Sequence, residues 1–260
     1  GEPLIHKKVY GSSERGSIVV VHGLGEHSGR YERLKNELVK NGFRVVLFDL
    51  PGHGESSGIR GHFTFKEVFN IISDYVDEFE NPVLFGHSLG GLIAIRYAEE
   101  FPGRLKGLVV SSPALSLARN VPLPLIVIVS LVSLFVPILQ LDNGINPEDL
   151  SRNSDAVKRY VSDPKVHRKI SVKLALEMIR EMKKAKEKAG KIDCPVLLIV
   201  GTKDRITPPE GTRVFFENLR AKKKKLEYEG AYHEIFEDPE YGNAFYKDLL
   251  NWLEETLKRE

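Results

Sequence analysis

The chain has 260 residues and a mass of 29.3 kDa, enough to bury a sizeable core and just above the length at which a single domain begins to divide. Charged residues make up 28% and hydrophobic ones 42%, a globular mix, and a net charge of +2 gives no case for a nucleic-acid partner. Cys194 is the only cysteine, which excludes an intramolecular disulfide and a cysteine-based metal cluster.

No basic stretch leads into an apolar one at the start, so no secretory signal is read and a cytoplasmic location is expected. Gln140 is the only glutamine, while Lys and Glu are abundant, a mix common in proteins adapted to heat. In chain order, HKKVY and GSIVVVHG read as strands, followed by a helix over 26–41 in which Leu34, Leu38 and Val39 keep helical spacing. FRVVLFDL is a near-continuous apolar run, as expected of a parallel strand covered on both faces. It ends in the turn-rich PGHGESSG, where Asp49 and His53 read as architectural. A helix is predicted over 65–79.

The stretch 82–96, PVLFGHSLGGLIAIR, stops being strand-like at Gly86-His87-Ser88-Leu89-Gly90 and becomes helical beyond it. A Gly-x-Ser-x-Gly turn between strand and helix leaves no room for side chains at its glycines and pushes the serine oxygen out above the sheet edge, as in a nucleophile elbow. RLKGLVVSSPA is a further strand. The alternation of strands and helices predicts a mostly parallel central sheet flanked by helices, an α/β class in which 1–115 and 192–260 form the core.

The rhythm breaks at Ser116 and resumes at Pro195, so 116–191 is expected to be a helical cap without strands. Its residues 123–139 carry no charge, but Pro124 and Pro137 leave 12 positions between them, against the roughly 20 that a membrane span needs. The stretch reads as a lid, with Leu134 and Phe135, together with Ile206 of the core, as candidates to line an acyl-chain pocket. The outer side of such a lid would meet a membrane surface or a second copy of the chain. The alternative is a helix sandwiched between cap and core. A basic amphipathic helix over 172–191 closes the cap, and strand, helix (209–219), strand (224–228) and a last helix (241–257) follow.

A serine hydroxyl is a weak nucleophile and needs a base to take its proton and a third group to orient that base. In parallel sheets such groups stand in loops at the carboxyl ends of strands. His233, in GAYHE, and Asp204, in GTKD after PVLLIVG, satisfy that rule, and the order Ser88, Asp204, His233 is that of α/β-hydrolases. Taken singly, Asp204 is also readable as a turn residue and His233 as a locally satisfied loop histidine. The charge that builds on a carbonyl oxygen under attack needs two donors, and the main-chain N–H groups of Leu24 and Leu89 are placed to form that oxyanion hole. This chemistry needs no metal or organic cofactor.

The set HGLGEHSGRY, DLPGHGESSG, GHSLGG, GTKDRITPP and GAYHEIFED resembles the monoacylglycerol lipase and lysophospholipase-type esterases of the α/β-hydrolase superfamily. The resemblance implies a serine carboxylic ester hydrolase working through an acyl-enzyme on a small lipid-like acyl ester, with a mobile cap. It also implies that Glu26 and Arg30 help hold a glycerol head. The further histidine that the family carries three residues past the catalytic one is Phe236 here, which leaves short-chain or generic ester specificity open. The rival readings are acyl transfer or carbon–carbon bond hydrolysis by the same triad, and a non-catalytic lipid-binding module.

Overall fold

Uninterrupted apolar runs become the strands of one central sheet in the computed structural model, which describes residues 2–258. In chain order the strands are β1 (Lys7–Tyr10), β2 (Ser17–Val21), β3 (Arg44–Phe48), β4 (Val83–His87), β5 (Gly107–Ser111), β6 (Gln140–Asp142), β7 (Lys169–Ser171), β8 (Val196–Gly201) and β9 (Lys223–Tyr228). The helices are α1 (Glu32–Lys40), α2 (Phe65–Glu78), α3 (Leu89–Glu100), α4 (Leu123–Phe135), α5 (Ser154–Ser162), α6 (Val172–Glu187), α7 (Glu210–Asn218) and α8 (Gly242–Thr256). The large sheet runs β1-β3-β2-β4-β5-β8-β9, parallel throughout except for the antiparallel edge pair β1–β3.

Side chains alternate across a strand, so β2 feeds two cores. Val19 and Val21 join α2, α3, α6 and α7 on one face, whereas Ile18 and Val20 join α1 and α8 on the other. With helices on both faces, every residue of β2, β4, β5 and β8 is buried, which is why these strands read as continuous rather than alternating runs.

Two parallel neighbours need a crossover helix, and for β5 and β8 that helix is α6. Leu174, Met182 and Ala185 place α6 in the same buried cluster as α3. Arg96 of α3 fastens the two, giving its Nη1 to Glu99, its Nη2 to Glu100 and its Nε to Glu181 of α6. Burial pushes the Glu99 carboxyl up to about 8, against the pull of Arg96. The last helix of the stretch expected as a cap therefore belongs to the layer that covers the sheet.

Three local expectations change. The helix expected from residue 26 begins at Glu32, after a 3-10 turn at Ser28–Tyr31. His27 is extended and caps that turn by accepting the Gly29 N–H, while Asp49 accepts the Ser28 N–H, so the preceding residues are held out of the helix. The 116–191 stretch does contain strands: β6 and β7 pair antiparallel over three residues each, too short for hydrophobic alternation to show. And α4 is not sandwiched. Among its residues only Ile126, Val129, Ser130 and Ser133 are even half-buried, on the side toward α6, and none is fully buried.

No helix among the described residues is long and apolar enough to cross a membrane. With 13 residues, α4 spans about 20 Å, short of the roughly 30 Å of a hydrocarbon core. The Arg96 hub gives a stability test. Arg96→Ala leaves Glu99 without its bonded cation and Glu181 with only the Lys184 ammonium at 3.6 Å, and chemical denaturation should show a loss of about 3–5 kcal/mol; a loss below about 1 kcal/mol would mean the hub is peripheral to the fold.

Candidate active site

The turn between β4 and α3 fixes Ser88 in a conformation a serine does not choose, φ 57° and ψ −118°. Its main chain is held from both sides: Ser88 N–H donates to Ser111 O at 3.0 Å, and Ser88 O accepts from Ala114 N–H at 3.0 Å. A Cβ at Gly86 would collide with the Gly90 carbonyl, and one at Gly90 with the carbonyls of Val21 and His22. Only glycines permit this packing. Leu89 opens α3, so its N–H has no acceptor within the helix. Across from it, a Cβ at Gly23 would lie 3.2 Å from Ser88 Cβ, which brings the Gly23–Leu24 turn against that serine.

His233 and Asp204 meet at 2.8 Å, Nδ1 to Oδ2, although 29 positions separate them. The Asp204 carboxylate serves two readings at once. Its Oδ1 accepts the N–H groups of Ile206 (2.9 Å) and Thr207 (3.0 Å), a local turn, and this leaves Oδ2 to face the imidazole. Thr207 Oγ1 sits 3.0 Å from Asp204 Oδ2, 3.1 Å from His233 Nδ1 and 3.1 Å from Ser112 O. Ser112 in turn donates its Oγ–H to the His233 carbonyl at 2.6 Å.

Burial alone would press the His233 pKa down, but Asp204, with Glu234 and Glu26 beyond it, outweighs burial and holds it above the ordinary histidine value. Asp204 is held below the usual carboxylate range, since His233 and the Thr207 donors overcome the cost of burial. The second histidine near the serine behaves oppositely. His87 is buried with its ring 4.8 Å from that of His233, and burial together with that neighbour lowers it to about 3. It stays neutral and leaves His233 as the basic group beside Ser88.

Above these groups lies a polar wall. Glu26 accepts from Gly23 N–H (2.7 Å), the Tyr31 hydroxyl (2.7 Å) and Arg30 Nη1 (2.8 Å). Arg30 also makes a two-point pair with Glu234 at 2.9 Å on each arm, and its guanidinium lies 4.9 Å from the Tyr160 ring centroid. Ser88, His233, Leu24, Glu26, Arg30 and Glu234 line one pocket with Ile145, Leu150 and Tyr160 from the stretch between β5 and α6. Its free volume of about 20 Å³ holds about one water.

Of the residues singled out in the sequence, Ser88, His233, Leu24, Glu26 and Arg30 come together at this pocket, with Asp204 behind His233 and Leu89 buried under the elbow. Ile206 contributes through its main chain to Asp204. Leu134 and Phe135 stand elsewhere, 75% and 84% exposed at the end of α4. The apolar cover comes instead from Ile145 and Leu150. Asp49 is the brace expected of it, its carboxylate accepting Ser28 N–H and Glu55 N–H. Cys194 is buried, and burial pushes its thiol up to about 12. Thr207, Tyr160 and Glu234 escape sequence reading. Thr207 and Glu234 are near neighbours of Asp204 and His233 and gain significance only from the direction their side chains take, while Tyr160 is brought by a helix with no signal of its own.

Fold and site together define an α/β-hydrolase with a serine at its nucleophile elbow. Residues 12–240 match the serine aminopeptidase S33 family, and the chain belongs to that family. It is similar to the crystal structure of the Paleococcus ferrophilus monoacylglycerol lipase, with 49% identity, a TM-score of 0.94, and 97% of this chain and 99% of that one covered. It is 34% identical to the Homo sapiens monoglyceride lipase over 247 residues, 91% of this chain and 81% of the relative. It is 31% identical to the Bacillus subtilis phospholipase YtpA over 236 residues, 88% of this chain and 91% of the relative. Within the family the chain is an enzyme, a serine ester hydrolase of the monoacylglycerol lipase type.

A general base must be neutral to accept a proton, so a histidine with a raised pKa postpones activity to higher pH. The kcat/KM for ester hydrolysis should therefore rise with pH through a midpoint above about 6.5. Asp204→Asn should lower kcat by about 10⁴-fold. A midpoint well below 6 would contradict the electrostatics of the pair.

Proposed function

We propose that the chain hydrolyses monoacylglycerols, with Ser88 as nucleophile, His233 as base and acid, Asp204 as orienting carboxylate, and the Leu24 and Leu89 N–H groups as oxyanion donors. The observation that carries this reading is the convergence on one pocket of a strained serine, an Asp-paired histidine and a polar wall. In the first half-reaction Ser88 Oγ forms a bond to the acyl carbon as its proton passes to His233 Nε2. Collapse of the tetrahedral intermediate breaks the ester C–O bond, and His233 returns the proton to the leaving glycerol oxygen. Water then attacks the acyl-enzyme with His233 again as base, releasing the fatty acid and Ser88. Thr207 and Ser112 hold the loops of Asp204 and His233 in register.

A pocket of about 20 Å³ does not admit an acyl ester, since sites for drug-sized ligands measure roughly 300–1,000 Å³. Part of the cover must move, and the bonds across it suggest which part. Residues 150–163 are tied down: Glu234 N–H donates to Leu150 O at 2.8 Å, Arg152 pairs with Asp238, and His27 Nε2 meets Asp163 at 2.7 Å. Residues 137–149 are tied as well, by the β6–β7 ladder, by Asn143 N–H to Arg168 O and by Arg168 to Asp142 and Ile145. But for Leu139 N–H to Val136 O at its end, the bonds of 116–136 stay within that stretch, and α4 shows water its apolar residues Leu123, Ile128, Leu131, Leu134 and Phe135. In our reading 116–136 is the lid proper, α4 rests on a lipid surface when it opens, and Leu134 and Phe135 then face acyl chains.

Ser88→Ala should lose more than about 10⁴-fold of kcat on monoacylglycerols and p-nitrophenyl esters alike and should no longer react with a fluorophosphonate. Retained turnover would sink the assignment of the nucleophile. For the lid, wild type should partition onto lipid vesicles, and the double variant Leu134→Ser/Phe135→Ser should partition at least about tenfold less, by loss of apolar burial. Equal partitioning, or a wild-type dimer in sedimentation that hides α4 and never meets vesicles, would assign this face to another copy of the chain.

A further inference from the structure

Two carboxylates share one guanidinium at the alcohol end of the pocket. His233 must hand its proton to the leaving oxygen, so the leaving alcohol lies on the His233 side, and Glu234 is the next residue in the chain. Glu234 is 3% exposed and takes Arg30 at two points; Glu26, also 3% exposed, takes a third donor of the same guanidinium. The charges sum to 1 − 2 = −1, and Asp204 behind His233 adds a further carboxylate. Three of the five N–H donors of Arg30 are engaged. A phosphate could accept only from the two Arg30 donors left over, on a guanidinium already neutralised by two buried carboxylates, and it would stand beside both, where like charges repel strongly. A neutral diol meets no such obstacle, because its hydroxyls can donate to the spare lone pairs of Glu234 and accept from the two remaining Arg30 donors.

The family's usual histidine at position 236 does not intervene. Phe236 is buried in an apolar layer against Tyr31, His87 and Phe245 and does not line the pocket. We infer that Glu234 is a specificity-determining residue that, by holding Arg30 together with Glu26, makes the alcohol end of the pocket net negative and so selects uncharged polyol heads over phosphate-bearing ones. This rests on the ester-hydrolase reading of Ser88 above.

The test compares 1-octanoylglycerol, its 3-phosphate and p-nitrophenyl octanoate, with wild type and Glu234→Gln. Wild type should favour the neutral glyceride over its phosphate by at least about tenfold in kcat/KM, the scale of one unit charge acting across a few ångströms of partly buried site. In Glu234→Gln the ratio of phosphate to neutral substrate should rise by a similar factor, whatever happens to the absolute rates, a change that a merely structural role would not produce. Wild type that cleaves p-nitrophenyl octanoate through Ser88 and the phosphate as readily as the glyceride would overturn the inference and leave the hydrolase reading intact. Absence of any Ser88-dependent hydrolysis would overturn that reading and this one with it. Should the variant not fold, protection of wild-type Ser88 against a fluorophosphonate decides: glycerol should slow labelling and glycerol 3-phosphate should not, and the reverse order would overturn the inference.

Discussion

The structure depends on a turn that has no room in it. Between β4 and α3 the main chain of Gly90 passes so close to the end of β2 that a single added carbon would meet the carbonyls of Val21 and His22. The same closeness sets the Gly23–Leu24 turn against Ser88, so the serine and the main-chain donors proposed for the oxyanion are brought together by one packing constraint. Strain at a non-glycine φ of 57° persists only where the surroundings over-determine it. Here three main-chain hydrogen bonds on Ser88, to Ser111, Leu92 and Ala114, the start of a buried helix and two β-strand neighbours do so. Ser112, one of three other non-glycine residues at positive φ among the described residues, lies just past the end of β5 and holds the His233 loop, so it supports the partner of Asp204.

Charge is managed within this frame by pairing at two levels. Deep in the helical layer, Arg96 gathers three carboxylates at the α3–α6 seam, a structural hub away from the pocket. At the pocket, Arg30 gathers only two, and both remain beside the reacting groups. The difference lies in what surrounds them. The Arg96 cluster leaves one Glu99 oxygen buried without a partner, and burial moves that carboxyl toward its neutral form. Glu26 instead has both oxygens partnered, and Arg30, His22, Tyr31 and Gly23 hold its pKa below the usual range despite burial. Glu26 and Glu234 next to His233 favour its imidazolium, so in the proposed mechanism the residues that shape the alcohol end would also bear on the base.

How much of this was legible in the sequence follows from range. The sheet was readable because each strand covered on both faces leaves a continuous apolar run, and the elbow was readable because its glycines and serine are consecutive. Asp204 and His233 were found by a topological rule, the carboxyl ends of parallel strands. The rule says nothing of Thr207, whose hydroxyl matters only because β5 and β8 are neighbours and bring Ser112 to it. Glu234 was invisible for a related reason: a glutamate beside a loop histidine reads as loop polarity until Arg30, 204 positions away, is seen to grip it. The strands β6 and β7 and the start of α1 were missed because three-residue ladders and side-chain capping leave no periodic trace.

The apolar stretch 123–139 was read as needing apolar company on both sides, and in this structure it has company on one. Placing Leu134 and Phe135 in water forfeits about 25 cal/mol for each Å² of apolar surface left exposed. An arrangement of this kind persists where another state uses that surface. The pocket beneath is closed to about the size of a water, so a state in which it opens must exist for any ester to reach Ser88. In the proposed reading, a lipid surface covering α4 would lower the free energy of whichever state presents α4 most fully, and so would couple opening to the place where an apolar ester is found. The tied part of the cover, 137–163, can then stay fixed against Arg30 and Glu234 while the looser part moves. Recognition of the head would stay rigid, and only the acyl side would need to yield.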